Sequence, residues 1–169
     1  PGWVPKSQVS ATNLDTSDCR VAIITADKAP ILNMDTSYFM PVSYSTILPV
    51  IRIVGNWVVV QTPQGEKVID HKHLKVYDSY EKVTKPTRAD IVNEAKRFMN
   101  LPYLWAGTSS WGYDCSGIIY AVYRNFGIMI PRDSFYQATK GKAVAKKDLK
   151  PGDLIFFAYD GGKGKVYHV

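Results

Sequence analysis

Two residues in the second half of the chain have side chains that could carry nucleophilic catalysis. Cys115 follows an aspartate and precedes an apolar run in GYDCSGIIY (112–120), and His168 lies in VYHV (166–169). A thiolate attacks carbonyl carbon, and a neighbouring imidazole takes up the thiol proton as a general base. If the fold brings the two side chains together, the chemistry they support is acyl transfer through a thioester.

The residues around Cys115 suit a nucleophile. Asp114 fits the N-cap position of a helix, which would put Cys115 in the first helical turn. Unpaired N–H groups and the helix dipole favour negative charge at that end, and therefore a thiolate. Gly112 and Gly117 would let other groups approach the backbone closely, and Ser116 can form hydrogen bonds.

Three other roles for Cys115 have to be considered beside that of a nucleophile. It could be a buried packing residue, since most lone cysteines in helices are, and a lone histidine in a strand is usually structural. A disulfide with Cys19 is weakly supported, because the two cysteines are predicted to lie in different domains. Two cysteines and three histidines are too few and too scattered for a four-ligand zinc site. We therefore expect no metal and no cofactor.

The overall composition is that of a globular protein without a membrane-spanning segment. The chain has 169 residues, of which 46% are hydrophobic, and its longest apolar runs, WVVV and LIFFAY, are far too short to span a bilayer. The formal net charge is +6, but the lysines are spread along the chain. No aromatic-basic stripe accompanies them, so we expect a basic surface and no nucleic-acid partner.

Residues 1–78 have the pattern of an all-β domain. VIRIV and WVVVQT are separated by Gly55-Asn56, and WVVVQT and KVID are separated by Pro63-Gln64-Gly65. Short β-branched runs broken by such turns predict a small barrel or sandwich of short strands. WVPKSQV (3–9) shares its pattern with VIDHKHL (68–74). This similarity predicts that residues 1–9 end a preceding repeat and that the domain itself spans 10–78.

Residues 79–88 are polar, contain a proline and are predicted to be a linker; residues 89–169 are predicted to form an α+β domain. In TRADIVNEAKRFMN, apolar residues recur at helical spacing, with Thr87 and Asp90 as a capping pair at the start. A second helix is expected from about Cys115 to Phe126, closed by Gly127. DLIFFAY and VYHV then read as antiparallel strands joined by DGGKGK.

Four segments of the second half resemble the NlpC-type cysteine peptidases of bacterial cell walls. They are LPYLWAGTSSWGYDCSG (101–117), IPRDS (130–134), DLKPGDLIFF (148–157) and HV (168–169), in the family's order and at similar spacing. Residues 1–78 resemble bacterial SH3-like domains, less specifically. The resemblance implies a papain-like α+β peptidase domain preceded by an all-β SH3-like barrel.

The resemblance also implies an activity and a partner. The enzyme would cut the bond between γ-linked D-glutamate and a diamino acid, lysine or diaminopimelate, in murein peptides. It would prefer a free N-terminal L-alanine, release L-Ala-D-Glu, and act either in the cell envelope or in the cytoplasm. The SH3-like half could contact a cell-wall polymer. The oligomeric state is not indicated.

Residue roles follow from the same resemblance. Cys115 matches the nucleophile, His168 the base, and Asp114 the group that binds the substrate's N-terminal amine. The residues that match groups holding the D-glutamate carboxylate are Ser116, Arg132 and Ser134. An arginine beside two hydroxyls is also a sensible carboxylate site on physical grounds. Tyr103 and Trp105 match aromatic residues that line the cleft, although packing between helix and loop is an alternative role for both.

The sequence departs from the family pattern at two places. Ala106 replaces the usual glycine after the tryptophan. The family also places a third polar residue, usually histidine, on the strand after the base, and the sequence stops at Val169. We therefore expect a peptidase domain that is incomplete at its C-terminus. The alternatives to a murein peptidase are a related amidase or acyltransferase on the same fold and a non-catalytic wall-binding module.

Overall fold

The computed structural model describes residues 5, 6, 9 and 19–169, and these divide into two compact units. The first unit contains the described residues up to Val42 together with Thr46–Lys82, and the second contains Ser43–Ser45 and Val83–Val169. The predicted end of a preceding repeat, at residues 1–9, lies almost entirely outside the described residues.

The first unit is built on one sheet of seven strands. In order across the sheet, the strands are β3, β2, β6, β5, β4, β1 and β7. A 3-10 turn at His71–His73 separates β6 from β7, and another follows β7 at Tyr80–Lys82. The strand bounds are β1 (Val21–Ile24), β2 (Lys28–Leu32), β3 (Tyr38–Ser43), β4 (Ile47–Val54), β5 (Trp57–Thr62), β6 (Gly65–Asp70) and β7 (Leu74–Tyr77).

The turns predicted from the sequence lie where the strands β4, β5 and β6 reverse direction. Val54 pairs with Trp57 across Gly55-Asn56, and Thr62 pairs with Gly65 across the second turn. Gly55 has a φ of 58°, a left-handed conformation that glycine adopts without steric cost. The sheet buries one apolar core, which consists of Ala22, Ile24, Ala29, Ile31, Val50, Val58, Val60, Ile69 and Leu74.

The second unit combines four helices with three short strand pairings. Its elements are α1 (Arg88–Lys96), β8 (Thr108–Ser109), β9 (Gly112–Tyr113), α2 (Cys115–Asn125), α3 (Ser134–Gln137), β10 (Phe157–Ala158), α4 (Tyr159–Gly162) and β11 (Val166–His168). β8 pairs with β9 and β10 pairs with β11, both antiparallel, and Tyr103 forms an isolated bridge with Tyr113. Within the described residues, no helix is long and apolar enough to cross a bilayer.

Both longer helices begin as predicted. Thr87 and Asp90 form a complete capping box at the start of α1, in which each side chain bonds the other's backbone N–H. Asp114 is the N-cap of α2, and its carboxylate accepts a hydrogen bond from the backbone N–H of Gly117. Gly127, with a φ of 68°, follows the end of α2 as expected. These interactions are local, which explains why the sequence alone predicts them.

The predicted strand DLIFFAY is wrong in its length. Only Phe157–Ala158 is a strand, paired through Phe157 with His168 and through Ala158 with Val166, with an irregular register between the two pairs. Tyr159 begins a short turn in which Asp160 and Gly161 have positive φ. This turn ends the strand after Ala158, and residues 153–156 form no strand pairing, so their strand propensity is not realised.

A small apolar core supports the region around Cys115. Tyr113 and Ala121 are buried, and Phe98, Leu101 and Ile118 pack against them. The ring of Phe98 meets that of Tyr113 edge to face, with centroids 5.5 Å apart, a favourable geometry for aromatic pairs. The core thus joins the segment after α1 to the first half of α2 and to the strand β9 that leads into it.

Candidate active site

Cys115 is the first residue of α2 and is half-buried. The Asp114 carboxylate oxygen Oδ1 accepts from the Gly117 N–H at 2.7 Å and from the Ser116 hydroxyl at 3.4 Å. The cap therefore holds the first turn of the helix, which contains Cys115, in one geometry. Neither Cys115 nor Cys19 is part of a disulfide in the structure, so the disulfide alternative is not supported.

Cys115 and His168 lie in the wall of the same cavity, whose volume is about 270 Å³. His168 comes from β11, where its ring lies 5.5 Å from that of Phe157 on the paired strand. β11 also packs against α3, and α3 packs against α2. The rest of the lining is mainly apolar and consists of Phe98, Leu101, Pro102, Tyr103, Tyr113, Asp114, Ile118, Ile119 and Val169.

Tyr103 lines this cavity next to the thiol. Its segment is fixed by the backbone N–H of Leu104, which donates to the carbonyl of Tyr113 at 3.1 Å. The pKa of Tyr103 is raised, first by partial desolvation and then by the charge and hydrogen bonding of Cys115 and the charge of Asp114. The phenol therefore keeps its proton at neutral pH and can donate it to a charged or polar group in the cavity.

The guanidinium of Arg132 connects three groups at the start of α2. It donates to the Ser116 hydroxyl at 2.9 Å, to the Asp114 carboxylate at 2.6 Å and to the Gly107 carbonyl at 3.2 Å. Burial alone would raise the pKa of Asp114, but the hydrogen bonds from Arg132 and from the Gly117 N–H lower it below its usual value. Asp114 is therefore an anion at neutral pH, paired with a cation.

Three glycines pack the loop after α1 against the first turn of α2. A Cβ on Gly117 would overlap the carbonyl oxygen of Gly107, and a Cβ on Gly107 would overlap that of Gly112. The Gly107 carbonyl also accepts from the Asp114 N–H at 3.2 Å. The sequence analysis predicted close backbone approach at Gly112 and Gly117. The role of Gly107 in this close packing is seen only in the structure.

Ser134 and Trp105 are placed differently from the other predicted site residues. Ser134 is half-buried at the start of α3, and the guanidinium of Arg132 bonds Ser116, Asp114 and Gly107 rather than Ser134. Trp105 is 85% exposed and is not among the residues that line the cavity. The structure thus brings Cys115, His168, Asp114, Ser116, Arg132 and Tyr103 together, while Ser134 and Trp105 lie at the margin.

Gln137, the last residue of α3, did not stand out in the sequence analysis. Its side chain is 3% exposed, and its amide nitrogen donates to the backbone carbonyls of Pro131 and Ser116. The spacing of Ser134 and Gln137 matches a capping box, but the N-cap is Asp133 and no side-chain cap bond forms there. The only sequence signal was thus a misleading one.

Ala106 has a φ of 60° and lies in the chain between the cavity residue Tyr103 and Gly107. An alanine in this left-handed region costs about 1 kcal/mol relative to glycine. We predict that Ala106→Gly raises the free energy of unfolding by about 1 kcal/mol, measured by urea denaturation. The departure from the family pattern is thus a source of backbone strain beside the site.

Ala143→Gly is the matched control for this prediction. Ala143 is exposed and does not have a positive φ. The same substitution there should leave stability unchanged or lower it by about 0.5 kcal/mol. Equal effects at the two positions would contradict the strain at Ala106.

Comparison with known families assigns both halves of the chain. Residues 100–169 match the NlpC/P60 family, and residues 24–77 match the YKFC SH3b2 domain. Together these matches cover the elements α2, α3, β10 and β11 and most of the seven-stranded sheet.

Similar proteins are found in Bacillus. A gamma-D-glutamyl-L-lysine dipeptidyl-peptidase of Bacillus cereus is 40% identical, across 100% of this chain and 52% of the relative. The protein of the same name in Bacillus subtilis is 36% identical, across 100% and 55%. A crystal structure of an NlpC/P60 family protein from Bacillus cereus superposes with a TM-score of 0.91 at 37% identity, covering 99% of this chain and 57% of that one.

The chain spans about half the length of the curated relatives it matches. The predicted fold, an α+β NlpC-type domain after an SH3-like strand-rich domain, is confirmed by the two family matches and by the structural neighbour. Residues 100–169 therefore form an NlpC/P60 domain, and an SH3b domain at residues 24–77 precedes it.

Proposed function

We propose that this chain is a cysteine peptidase that hydrolyses the bond between γ-linked D-glutamate and lysine or diaminopimelate in murein peptides. The observation that carries the proposal is the cavity in which Cys115, at the start of α2, lies with His168 beside the charged pair of Asp114 and Arg132. Two relatives that align with the whole chain are named gamma-D-glutamyl-L-lysine dipeptidyl-peptidase, which supports lysine as the diamino acid.

In the proposed reaction, His168 takes the thiol proton and the sulfur of Cys115 attacks the γ-carbonyl carbon of D-glutamate. The tetrahedral intermediate collapses as the C–N bond breaks, and the protonated His168 gives its proton to the departing amine of the diamino acid. Water, deprotonated by His168, then hydrolyses the thioester and releases the dipeptide.

The proposed recognition uses the opposite charges beside Cys115. A peptide that begins with L-Ala-γ-D-Glu carries an ammonium group and an α-carboxylate a few bonds apart. Asp114 would take the ammonium, while Arg132, Ser116 and Ser134 would take the carboxylate. Asp114 and Arg132 are 2.6 Å apart in the free protein, so each substrate charge replaces one half of an existing ion pair. Tyr103 and Trp105 would flank the peptide.

The test is a comparison of two peptides that differ only at the N-terminus. We expect L-Ala-γ-D-Glu-L-Lys to be cleaved to L-Ala-D-Glu and lysine, identified by mass spectrometry. The N-acetylated peptide should have a kcat/KM at least about tenfold lower, because acetylation removes the ammonium group that Asp114 would bind.

Two outcomes would contradict the proposed function. One is the release of free L-alanine, which would place the scissile bond elsewhere. The other is equal cleavage of the free and acetylated peptides, which would show that Asp114 does not recognise the amine. The diaminopimelate peptide, run alongside, measures the diamino acid preference.

A further inference from the structure

The amide of Gln137 joins two parts of the chain that carry the proposed recognition groups. Its nitrogen donates to the carbonyl of Pro131 at 2.9 Å and to that of Ser116 at 3.1 Å, with the Arg132 carbonyl at 3.5 Å. Pro131 and Arg132 belong to the loop before α3, and Ser116 belongs to the first turn of α2. One buried side chain therefore connects the Arg132 loop to the helix that carries Cys115.

The orientation of this amide is determined by chemistry. All three neighbours are carbonyl oxygens, which accept hydrogen bonds and cannot donate them. Only the NH₂ end of Gln137 can face them. Its oxygen is buried, with no hydrogen-bond partner in the part of the chain that the structure describes. The arrangement thus uses the donors fully and leaves an acceptor unpaired, which costs stability and has to be offset by the other contacts.

Gln137 bonds the backbones of two residues whose side chains also contact each other. The Arg132 guanidinium donates to the Ser116 hydroxyl at 2.9 Å, and Gln137 links the backbone carbonyls of these same two residues. With Gln137 in place, the distance between the Arg132 backbone and α2 is set independently of the charged side chains. When a substrate carboxylate displaces Asp114 or Ser116 from the guanidinium, Arg132 therefore keeps its position.

We propose that Gln137 is a positioning residue for substrate selection: it holds Arg132 where the guanidinium can recognise the α-carboxylate of the γ-linked glutamate. The inference rests on the proposed function. A displacement of about 1 Å in such a group can cost up to about 100-fold in rate. Gln137 itself touches neither substrate nor the reacting atoms, and its effect is transmitted through Arg132.

The experiment measures kcat/KM for L-Ala-γ-D-Glu-L-Lys and for the same peptide with a carboxamide in place of the α-carboxylate. We expect wild type to prefer the carboxylate peptide at least about tenfold, the range of a hydrogen bond to a charged group. Gln137→Met keeps the length of the side chain and removes its donors. It should lower the preference to about twofold or less, with most of the loss in KM for the carboxylate peptide.

Three controls separate positioning from general damage. Gln64→Met makes the same change at an exposed turn of the first unit and should leave the preference intact. Alkylation of Cys115 by iodoacetamide should proceed within about twofold of the wild-type rate in Gln137→Met, if the start of α2 is unchanged. In an Arg132→Met background, Gln137→Met should have no further effect on the preference, because the two residues act as one unit.

The outcomes that overturn the inference are distinct from those that overturn the function. A Gln137→Met protein that loses activity equally on both peptides, or whose effect adds fully to that of Arg132→Met, contradicts the positioning role. A wild-type protein that cleaves neither peptide contradicts the proposed function and this inference with it. If Gln137→Met does not fold, Gln137→Asn, which keeps the donors on a shorter side chain, is compared in the same assay and should show an intermediate preference.

Discussion

Replacing Cys115 with alanine is expected to lower kcat/KM for L-Ala-γ-D-Glu-L-Lys by at least about 10⁴-fold, the scale of losses when a catalytic nucleophile is removed. The physical reason is that His168 and the pair of Asp114 and Arg132 can contribute to catalysis only when a nucleophile attacks the carbonyl carbon, and the variant lacks that nucleophile. Binding of the peptide should persist, since the residues proposed to hold it are unchanged. The measurement is steady-state kinetics together with calorimetric titration of the peptide onto the variant.

Cys19→Ala is the matched control, because it removes the other cysteine of the chain. Its kcat/KM should stay within about threefold of wild type. Iodoacetamide should inactivate the wild type and Cys19→Ala alike, with one label on Cys115 by mass spectrometry. Residual activity of Cys115→Ala above about one per cent would assign the nucleophile to another group and would require a different mechanism.

Gly117→Ala should strongly destabilise the second unit. Alanine is a better helix former than glycine by about 1 kcal/mol, so helix propensity alone predicts stabilisation. The added methyl would overlap the Gly107 carbonyl, however, and would lie 3.0 Å from the Asp114 carboxylate oxygen that caps α2. Overpacking against backbone outweighs propensity, and we expect a net loss of about 3 kcal/mol in urea denaturation.

The same substitution should also impair the proposed catalysis. The Gly107 carbonyl accepts from Arg132 and from the Asp114 N–H, so its displacement moves the recognition groups together with the helix cap. We expect kcat/KM to fall at least about 100-fold even at temperatures where the protein remains folded.

Gly141→Ala provides the control for Gly117→Ala. Gly141 has a φ of 82° and open space where a Cβ would be added, so only backbone strain opposes alanine there. The expected loss is about 1 kcal/mol, with no change in kcat/KM. A loss at Gly117 no larger than that at Gly141 would show that the loop moves freely away from α2.

The resemblance in the sequence could indicate candidate site residues because they lie in three short segments. Asp114, Cys115 and Ser116 are consecutive, and Arg132 follows in a second segment with its own motif. The structure places these four with Tyr103 and His168 around the start of α2. Trp105, predicted from the same segment as Tyr103, is instead largely exposed. Adjacency in a motif therefore does not decide which side of a loop each side chain faces.

The features that the sequence by itself determined are local ones. The cap of Asp114 on α2, the capping box of α1 and the hairpin turns each depend on residues within four positions of one another, so residue types and spacing suffice to predict them. The identity of Cys115 as a residue at a helix start belongs to this group.

Only the tertiary structure decided the features that join distant segments. Four features depend on how loops pack against α2: the cavity shared by Cys115 and His168, the ion pair between Asp114 and Arg132, the close approach of Gly107 to Gly117 and the carbonyl contacts of Gln137. The short length of β10 has the same origin, since strand formation depends on the partner strand and on the turn between them. Residue types set which contacts are possible, and packing selects among them.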